Sequence, residues 1–149
     1  MQSSLYQKSV KKGPHSMIIG IGTDLLDIAR VQAILKQPSG ERFLQRVLTP
    51  AERELAAGRG GRLAEFTAGR FAAKEAVVKA LGCGIGREVG FGDIEVLPDA
   101  KGKPHCRLSE ASLGRLAAGG TDVRGLIVHL SITHSDTAAM AYAMAELRA

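Results

Sequence analysis

The sequence predicts an α+β fold in which a mostly antiparallel sheet packs against one long helix. Three observations carry the prediction. A helical pattern runs from about Leu63 to Leu81, a period-two pattern runs from Leu126 to Thr133, and a turn-rich segment, Pro98-Asp99-Ala100-Lys101-Gly102-Lys103-Pro104, separates two short apolar runs as a hairpin turn would.

Taken in order, Met17 to Gly22 (MIIGIG) reads as a short buried strand whose glycine end turns sharply, with Asp24 just beyond it. From Asp27 the apolar residues Ile28, Val31, Ile34 and Leu35 recur at helical spacing, and Arg30 and Lys36 give that helix a basic flank. Pro38, Ser39 and Gly40 break it, and a second basic segment follows with Arg42 and Arg46 four residues apart. Thr49, Pro50 and Glu52 supply an N-cap, a first-turn proline and the reciprocal glutamate of a capping box, so a helix starts at Thr49 and ends at Gly58, Gly60 and Gly61. The long helix follows, with Phe66, Phe71, Ala72, Val78 and Leu81 on its apolar surface and Gly82, Gly84 and Gly86 stopping it. Phe91, Ile94, Val96 and Leu97 lead into the hairpin, whose second arm is Cys106 to Leu108. Ser109 caps a short helix to about Ala118. Leu126, Val128, Leu130 and Ile132 then alternate with Ile127, His129, Ser131 and Thr133 as a strand. Residues 137 to 147 are readable two ways: composition favours helix, whereas Met140, Tyr142 and Met144 alternating with alanines favours strand.

At 149 residues the chain is expected to form one domain, residues 17–149, preceded by a polar, aperiodic tail over residues 1–16. The composition, 45% hydrophobic and 23% charged, is that of an ordinary water-soluble domain, and no apolar run approaches the roughly 20 residues that span a bilayer. No apolar segment follows the basic residues of the tail, so no secretory leader is expected there. Cys83 and Cys106 have neither zinc-ligand spacing nor the density of a disulfide scaffold, which points to reduced thiols in a cytoplasmic setting. The net charge of +5 falls to +2 once Lys8, Lys11 and Lys12 of the tail are set aside. With no Trp and 4% aromatic residues, that mildly basic body argues against a nucleic-acid-binding protein.

Glu75 and Lys79 stand one helical turn apart, about 40° around the axis, so a carboxylate and an ammonium project together. By spacing alone they read as a surface ion pair. Asp24 reads either as a turn aspartate or as a metal ligand, and together with Glu75 it would be enough for Mg2+, which needs only one or two protein carboxylates. Gly20-x-Gly22 lacks the third glycine of a dinucleotide fingerprint, since position 25 is Leu. His134 ends a strand, where polar groups are readily presented; His129 lies on the polar face of that strand. Arg30, Arg42 and Arg46 read as solvated charges or as a docking face for an acidic protein.

Three stretches occur in one order: Gly20-Ile21-Gly22-Thr23-Asp24 through Arg30; Gly69-Arg70-Phe71-Ala72-Ala73-Lys74-Glu75 through Lys79; and Ser131-Ile132-Thr133-His134. With Gly102-Lys103-Pro104 in the hairpin, this combination resembles the bacterial holo-acyl-carrier-protein synthases, small trimeric 4'-phosphopantetheinyl transferases, over residues 17 to 147. The resemblance implies the phosphopantetheinyl transferase fold and transfer of 4'-phosphopantetheine from coenzyme A to a serine of acyl carrier protein, in fatty acid biosynthesis. It implies that Asp24 and Glu75 hold Mg2+ and that Lys79 neutralises phosphate charge. Arg70 and His134 would lie near the nucleotide end of the coenzyme, and at Gly82 backbone would approach the ligand. Arg30, and behind it Arg42 and Arg46, would receive the carrier protein, and the sites would lie between subunits of a homotrimer. The proton acceptor stays open between Glu75 itself and a water at the metal. Two departures stand out: Cys83 occupies a position where the family suggests threonine, and the family begins near Met17. A magnesium-dependent nucleotide hydrolase using the same Asp24 and Glu75 is the enzyme alternative.

Overall fold

The computed structural model describes residues 15–149. Most of the expected tail, residues 1–14, lies outside the described residues, and the first strand begins at Ser16, one residue before the predicted domain start. The elements follow in the order β1 (Ser16–Asp27), α1 (Ile28–Leu35), α2 (Gly40–Val47), α3 (Pro50–Ala57), α4 (Leu63–Leu81), β2 (Ile94–Pro98), β3 (Pro104–Leu108), α5 (Glu110–Ala118), β4 (Leu126–His134) and β5 (Ala138–Arg148). Single 3₁₀ turns at Gly60–Arg62 and Phe91–Asp93 precede α4 and β2. An antiparallel sheet of order β1-β5-β4 and the separate hairpin β2-β3 make up the β structure, as the α+β prediction requires. The predicted capping box at Thr49 forms: the Thr49 amide donates to Glu52 Oε1 at 2.8 Å and the Glu52 amide to Thr49 Oγ1 at 3.3 Å.

Helix α4 is the centre of the molecule. Thirteen of its nineteen residues are buried, so it is packed on nearly every side rather than lying on the surface with one apolar stripe. It rests on β1 and β5 across a floor almost without side chains. Gly20 and Gly22 of β1 pair with Ala145 and Ala143 of β5, and Ala139, Ala141, Ala143 and Ala145 are fully or almost fully buried beneath the helix. This register resolves the two readings of residues 137–147 in favour of the strand. The small residues at every second position face α4, and Met140, Tyr142 and Met144 face away.

The first strand differs from its prediction in three ways. It continues to Asp27, so Asp24 lies within it rather than in a turn beyond it. Gly20 and Gly22 are strand residues, not a turn, and their lack of a side chain serves close packing: a Cβ at Gly20 would lie 1.8 Å from the Ala80 carbonyl oxygen, and one at Gly22 would lie 2.0 Å from that of Ala76. Nor is the strand buried on both faces. Met17, Ile18, Ile21 and Leu25 are more than half exposed, and Ile18, Ile21 and Leu25 form, with Met140 and Tyr142, an apolar strip on the outer face of the sheet.

At one end of that outer face Glu146 ties three segments together. Its carboxylate accepts from Ser16 Oγ at 2.7 Å and Arg148 Nε at 2.7 Å and lies 2.8 Å from His129 Nε2. Of the cysteines, Cys106 packs against the main core, where burial pushes its thiol up to about 12 and leaves it inert at neutral pH.

Two expectations follow. Gly22→Ala places a methyl group against helix backbone and is expected to lower stability by about 2 kcal/mol or more in denaturant titration, while Ala at the exposed, open Gly84 is near neutral. The bonds from Arg148, Ser16 and His129 hold Glu146 down to about 2, against an ordinary value of 4.5. Its folded pKa is depressed, so its contribution is complete above pH 4.5 and fades as the pH falls toward 2; Glu146→Gln is expected to flatten the pH–stability curve across that window.

Candidate active site

The period-two geometry of β1 puts Asp24 on the same face as Gly20, Gly22 and Leu26, toward α4. Because nothing intervenes at the two glycines, the strand lies close enough for Lys79 to reach it. Lys79 Nζ donates to the Thr23 carbonyl at 2.9 Å and lies 3.4 Å from Asp24 Oδ1. The surface ion pair expected between Glu75 and Lys79 is thus replaced by one between Lys79 and Asp24, across 55 residues of sequence. Glu75, one turn before Lys79, is half-buried. Burial above all, and then the Asp24 charge, raise its pKa from the ordinary carboxylate value, and Lys79 opposes them. Two carboxylates whose charges work against each other, beside an exposed ammonium that partly offsets them, form a donor set suited to a hard divalent cation. Among the described residues no group of three or more His, Cys, Asp or Glu side chains gathers as a metal site, so a cation held by Asp24 and Glu75 would complete its shell with water and phosphate oxygens.

Two cavities flank α4. The first, about 370 Å³, is lined by Glu75 together with Arg30 of α1, Arg46 of α2 and the apolar side chains of Phe43, Phe71 and Phe91. The Arg46 guanidinium lies 5.9 Å from the centre of the Phe91 ring. Arg42, one turn earlier on α2, is exposed and stands outside this lining. The second cavity, about 560 Å³, contains Arg70 of α4 and His134 at the end of β4. The two are separated by the helix itself, because Arg70 and Glu75 project about 140° apart around its axis.

The second cavity holds residues that sequence reasoning missed. Arg59 and Arg62, in the connection before α4, line it beside Arg70. The Arg59 and Arg70 guanidinium groups stack on the Phe66 ring, 4.9 and 4.4 Å from its centre. Arg70 donates from Nε to the Val96 carbonyl at 3.2 Å; burial holds its pKa below the usual guanidinium value, against the pull of Glu52, and the like charge of Arg59 adds to the lowering. His134 Nε2 lies 3.2 Å from Glu65 Oε1. Three arginines around one opening, with Glu65 and Asp99 at its walls, leave a positive cavity that suits an anionic ligand. The signal in the sequence was the run Arg59-Gly60-Gly61-Arg62 directly before a helix, which reads only as a linker until Phe66 and Arg70 are seen facing it. Gly82 closes α4 one turn after Lys79, with φ +78°, a left-handed conformation that glycine adopts without strain.

A family model described as the 4'-phosphopantetheinyl transferase superfamily matches residues 20–138. A protein of Bacillus cereus named holo-[acyl-carrier-protein] synthase is 44% identical over 131 residues, which cover 87% of this chain and 97% of that one. A solved holo-(acyl-carrier-protein) synthase from Bacillus anthracis, in complex with CoA (3',5'-ADP), superposes with a TM-score of 0.72 at 45% identity, covering 88% of this chain and 98% of that structure. One from Helicobacter pylori, in complex with coenzyme A, gives a TM-score of 0.69 at 31% identity, covering 87% and 99%.

Removing the charge at position 75 tests the metal reading without any assay of activity. Mg2+ is expected to raise the Tm of the unaltered protein; Glu75→Gln, relieved of its burial cost and its repulsion from Asp24, should keep its fold and have a metal-free Tm no lower than before, but lose that rise. An equal rise in the variant would remove Glu75 from the metal site.

Proposed function

The chain belongs to the 4'-phosphopantetheinyl transferase superfamily, and from that membership we propose that it transfers 4'-phosphopantetheine from coenzyme A to a serine of apo acyl carrier protein. The products are the holo carrier, for fatty acid synthesis, and adenosine 3',5'-bisphosphate. The observation that carries the reading is the meeting of Asp24 from β1 with Lys79 and Glu75 from α4, with a basic cavity on the far side of the same helix.

In the reaction the serine oxygen forms a bond to the β-phosphorus of coenzyme A, and the bond to the bridging oxygen breaks, carrying the electron pair away on the nucleotide. Little covalent work falls to the protein, so positioning and charge dominate. Asp24 and Glu75 would hold Mg2+, which when bound supplies positive charge to the pyrophosphate. Lys79, exposed and, among the described residues, bonded to the Thr23 carbonyl and Asp24, has the reach to meet the charge that builds on the leaving oxygen. The serine proton passes to Glu75 directly or through a water beside it. Arg70 and His134, with Arg59 and Arg62, take the phosphorylated nucleotide end, and the backbone at Gly82, just past Lys79 at the end of α4, would approach the coenzyme. Arg30 and Arg46 border the Glu75 cavity, and with Arg42 they present a basic face to an acidic carrier protein.

The separation of the two cavities supports sites shared between subunits, in which one copy supplies Asp24, Glu75 and Lys79 and a neighbour supplies Arg70 and His134. The exposed apolar strip on β1 and β5 supports the same arrangement, because contiguous apolar surface of this kind is what a second copy would cover. The family resemblance supplies the number of copies, and on that ground we take the working form to be a homotrimer. No helix among the described residues is long and apolar enough to cross a membrane, and the free thiols of Cys83 and Cys106 accord with a cytoplasmic setting.

Intact-mass measurement of apo acyl carrier protein after incubation with this protein, coenzyme A and Mg2+ tests the reading. A gain of one phosphopantetheine arm, lost on chelation, is the expected result. Cleavage of coenzyme A with no gain by a competent carrier would indicate the hydrolase instead. Arg30→Glu is expected to raise the KM for the carrier with binding of coenzyme A retained, and unchanged carrier kinetics would take Arg30 out of the docking face.

A further inference from the structure

Lys74, directly before Glu75, points into the core and is completely buried, as is Glu52 of α3. Its three ammonium protons all have acceptors: Glu52 Oε1 at 2.6 Å, the Val47 carbonyl at the end of α2 at 2.7 Å, and the Phe91 carbonyl in the turn before β2 at 3.0 Å. Glu52 is equally saturated. Oε1 also accepts the Thr49 amide of the capping box, and Oε2 accepts the Val96 amide of β2 at 2.9 Å.

Two of the backbone groups gathered here belong to the wall of one cavity, and a third belongs to Val96, which is bonded to a side chain of the other. Val47 and Phe91 line the cavity that Glu75 enters, so Lys74 holds two of its walls by their carbonyls. Val96 donates its N–H to Glu52 and accepts from Arg70 at its C=O, so Glu52 anchors the strand residue on whose carbonyl Arg70 of the other cavity rests. Burial works strongly against the charge on Lys74, and the Glu52 carboxylate offsets it. A paired, fully hydrogen-bonded charge is rigid in a way that an apolar contact is not, because any displacement strands a buried ion.

We infer that Lys74 and Glu52 are positioning residues that hold the Glu75 and Arg70 cavities in a fixed mutual relation, and this rests on the transferase reading above. The pair touches no substrate. Within each copy it sets where the Glu75 cavity stands relative to the Arg70 cavity; in a ring of identical copies that relation, together with the interface, fixes how the carboxylate of one copy meets the arginine of its neighbour, and in-line transfer depends on that meeting.

Glu52→Gln is the sharpest probe. Glutamine serves at the third position of a capping box, so α3 keeps its cap, but the amide cannot satisfy both the Val96 N–H and the Lys74 ammonium as the carboxylate does. The expected result is a folded variant of unchanged oligomeric state whose kcat falls about tenfold to a hundredfold. Its KM for coenzyme A and carrier, and its calorimetric Kd for adenosine 3',5'-bisphosphate, should stay within about threefold of the unaltered protein. A purely structural role would lower the Tm and leave kcat per folded molecule unchanged, and that result overturns the proposal. Lys74→Met combined with Glu52→Gln removes both charges without stranding either and carries the same test if the single variant does not fold; loss of fold in both would confine the pair to stability and also overturn it. Transfer by the unaltered protein, measured alongside, distinguishes failure of this inference from failure of the transferase reading.

Discussion

The close approach of α4 to β1 and β5 governs most of what the molecule does. A helix can lie against a sheet at this distance only where the sheet offers almost no side chain, and Gly20, Gly22 and the alanine series of β5 provide such a floor. Asp24 is two residues further along the same face. Its proximity to Lys79 and Glu75 is thus a by-product of packing. Strand and helix are already in contact, and the first residue beyond the glycines on the helix-facing side, Asp24, falls where the helix carries its charges.

Charge in this protein is divided by burial and partner into three groups. Lys74 and Glu52 are sealed in the core with every hydrogen-bonding group satisfied, an arrangement that fixes position and does no chemistry. Asp24, Glu75 and Lys79 are left accessible and imperfectly balanced, the condition in which a site still has free energy to gain from a cation or a phosphate. The arginines around Phe66 form a third group, stacked on an aromatic face that keeps like charges close without an acid paired to each. For a reaction in which positioning and electrostatic stabilisation carry the catalysis, this division between rigid and available charge is the essential design.

The arrangement also explains how a short chain comes to present two separate cavities, which the proposed homotrimer would join. Helix α4 bears Glu75 on one side and Arg70 on another, and its own bulk keeps them apart. A cleft long enough for a dinucleotide-sized coenzyme would then be assembled by juxtaposing copies. The outer face of the sheet, with Ile21, Leu25, Met140 and Tyr142 uncovered, is the surface that would profit most from such an assembly.

Much of this was legible in the sequence because it is encoded locally. The span of α4, the capping box at Thr49, the hairpin turn and the alternation of β4 follow from propensity, capping and periodicity within a few residues, and the pairing of Asp24 with Glu75 followed from family resemblance. The role of Gly20 and Gly22 was not legible, since a glycine needed for a turn and one needed for a close approach are the same letter. Nor was the conformation of residues 137–147, where alanine's helical preference yields to a floor that only the helix above it requires. Lys74 was read only as part of a motif, because nothing near it in sequence shows that Val47, Glu52 and Phe91 will close around it. The sequence by itself determined most of the helices and strands, residues 137–147 excepted, and which residue types the chemistry would use. Tertiary structure decided which charges are buried and which stay reactive, because burial and partner distance are set by contacts between segments tens of residues apart.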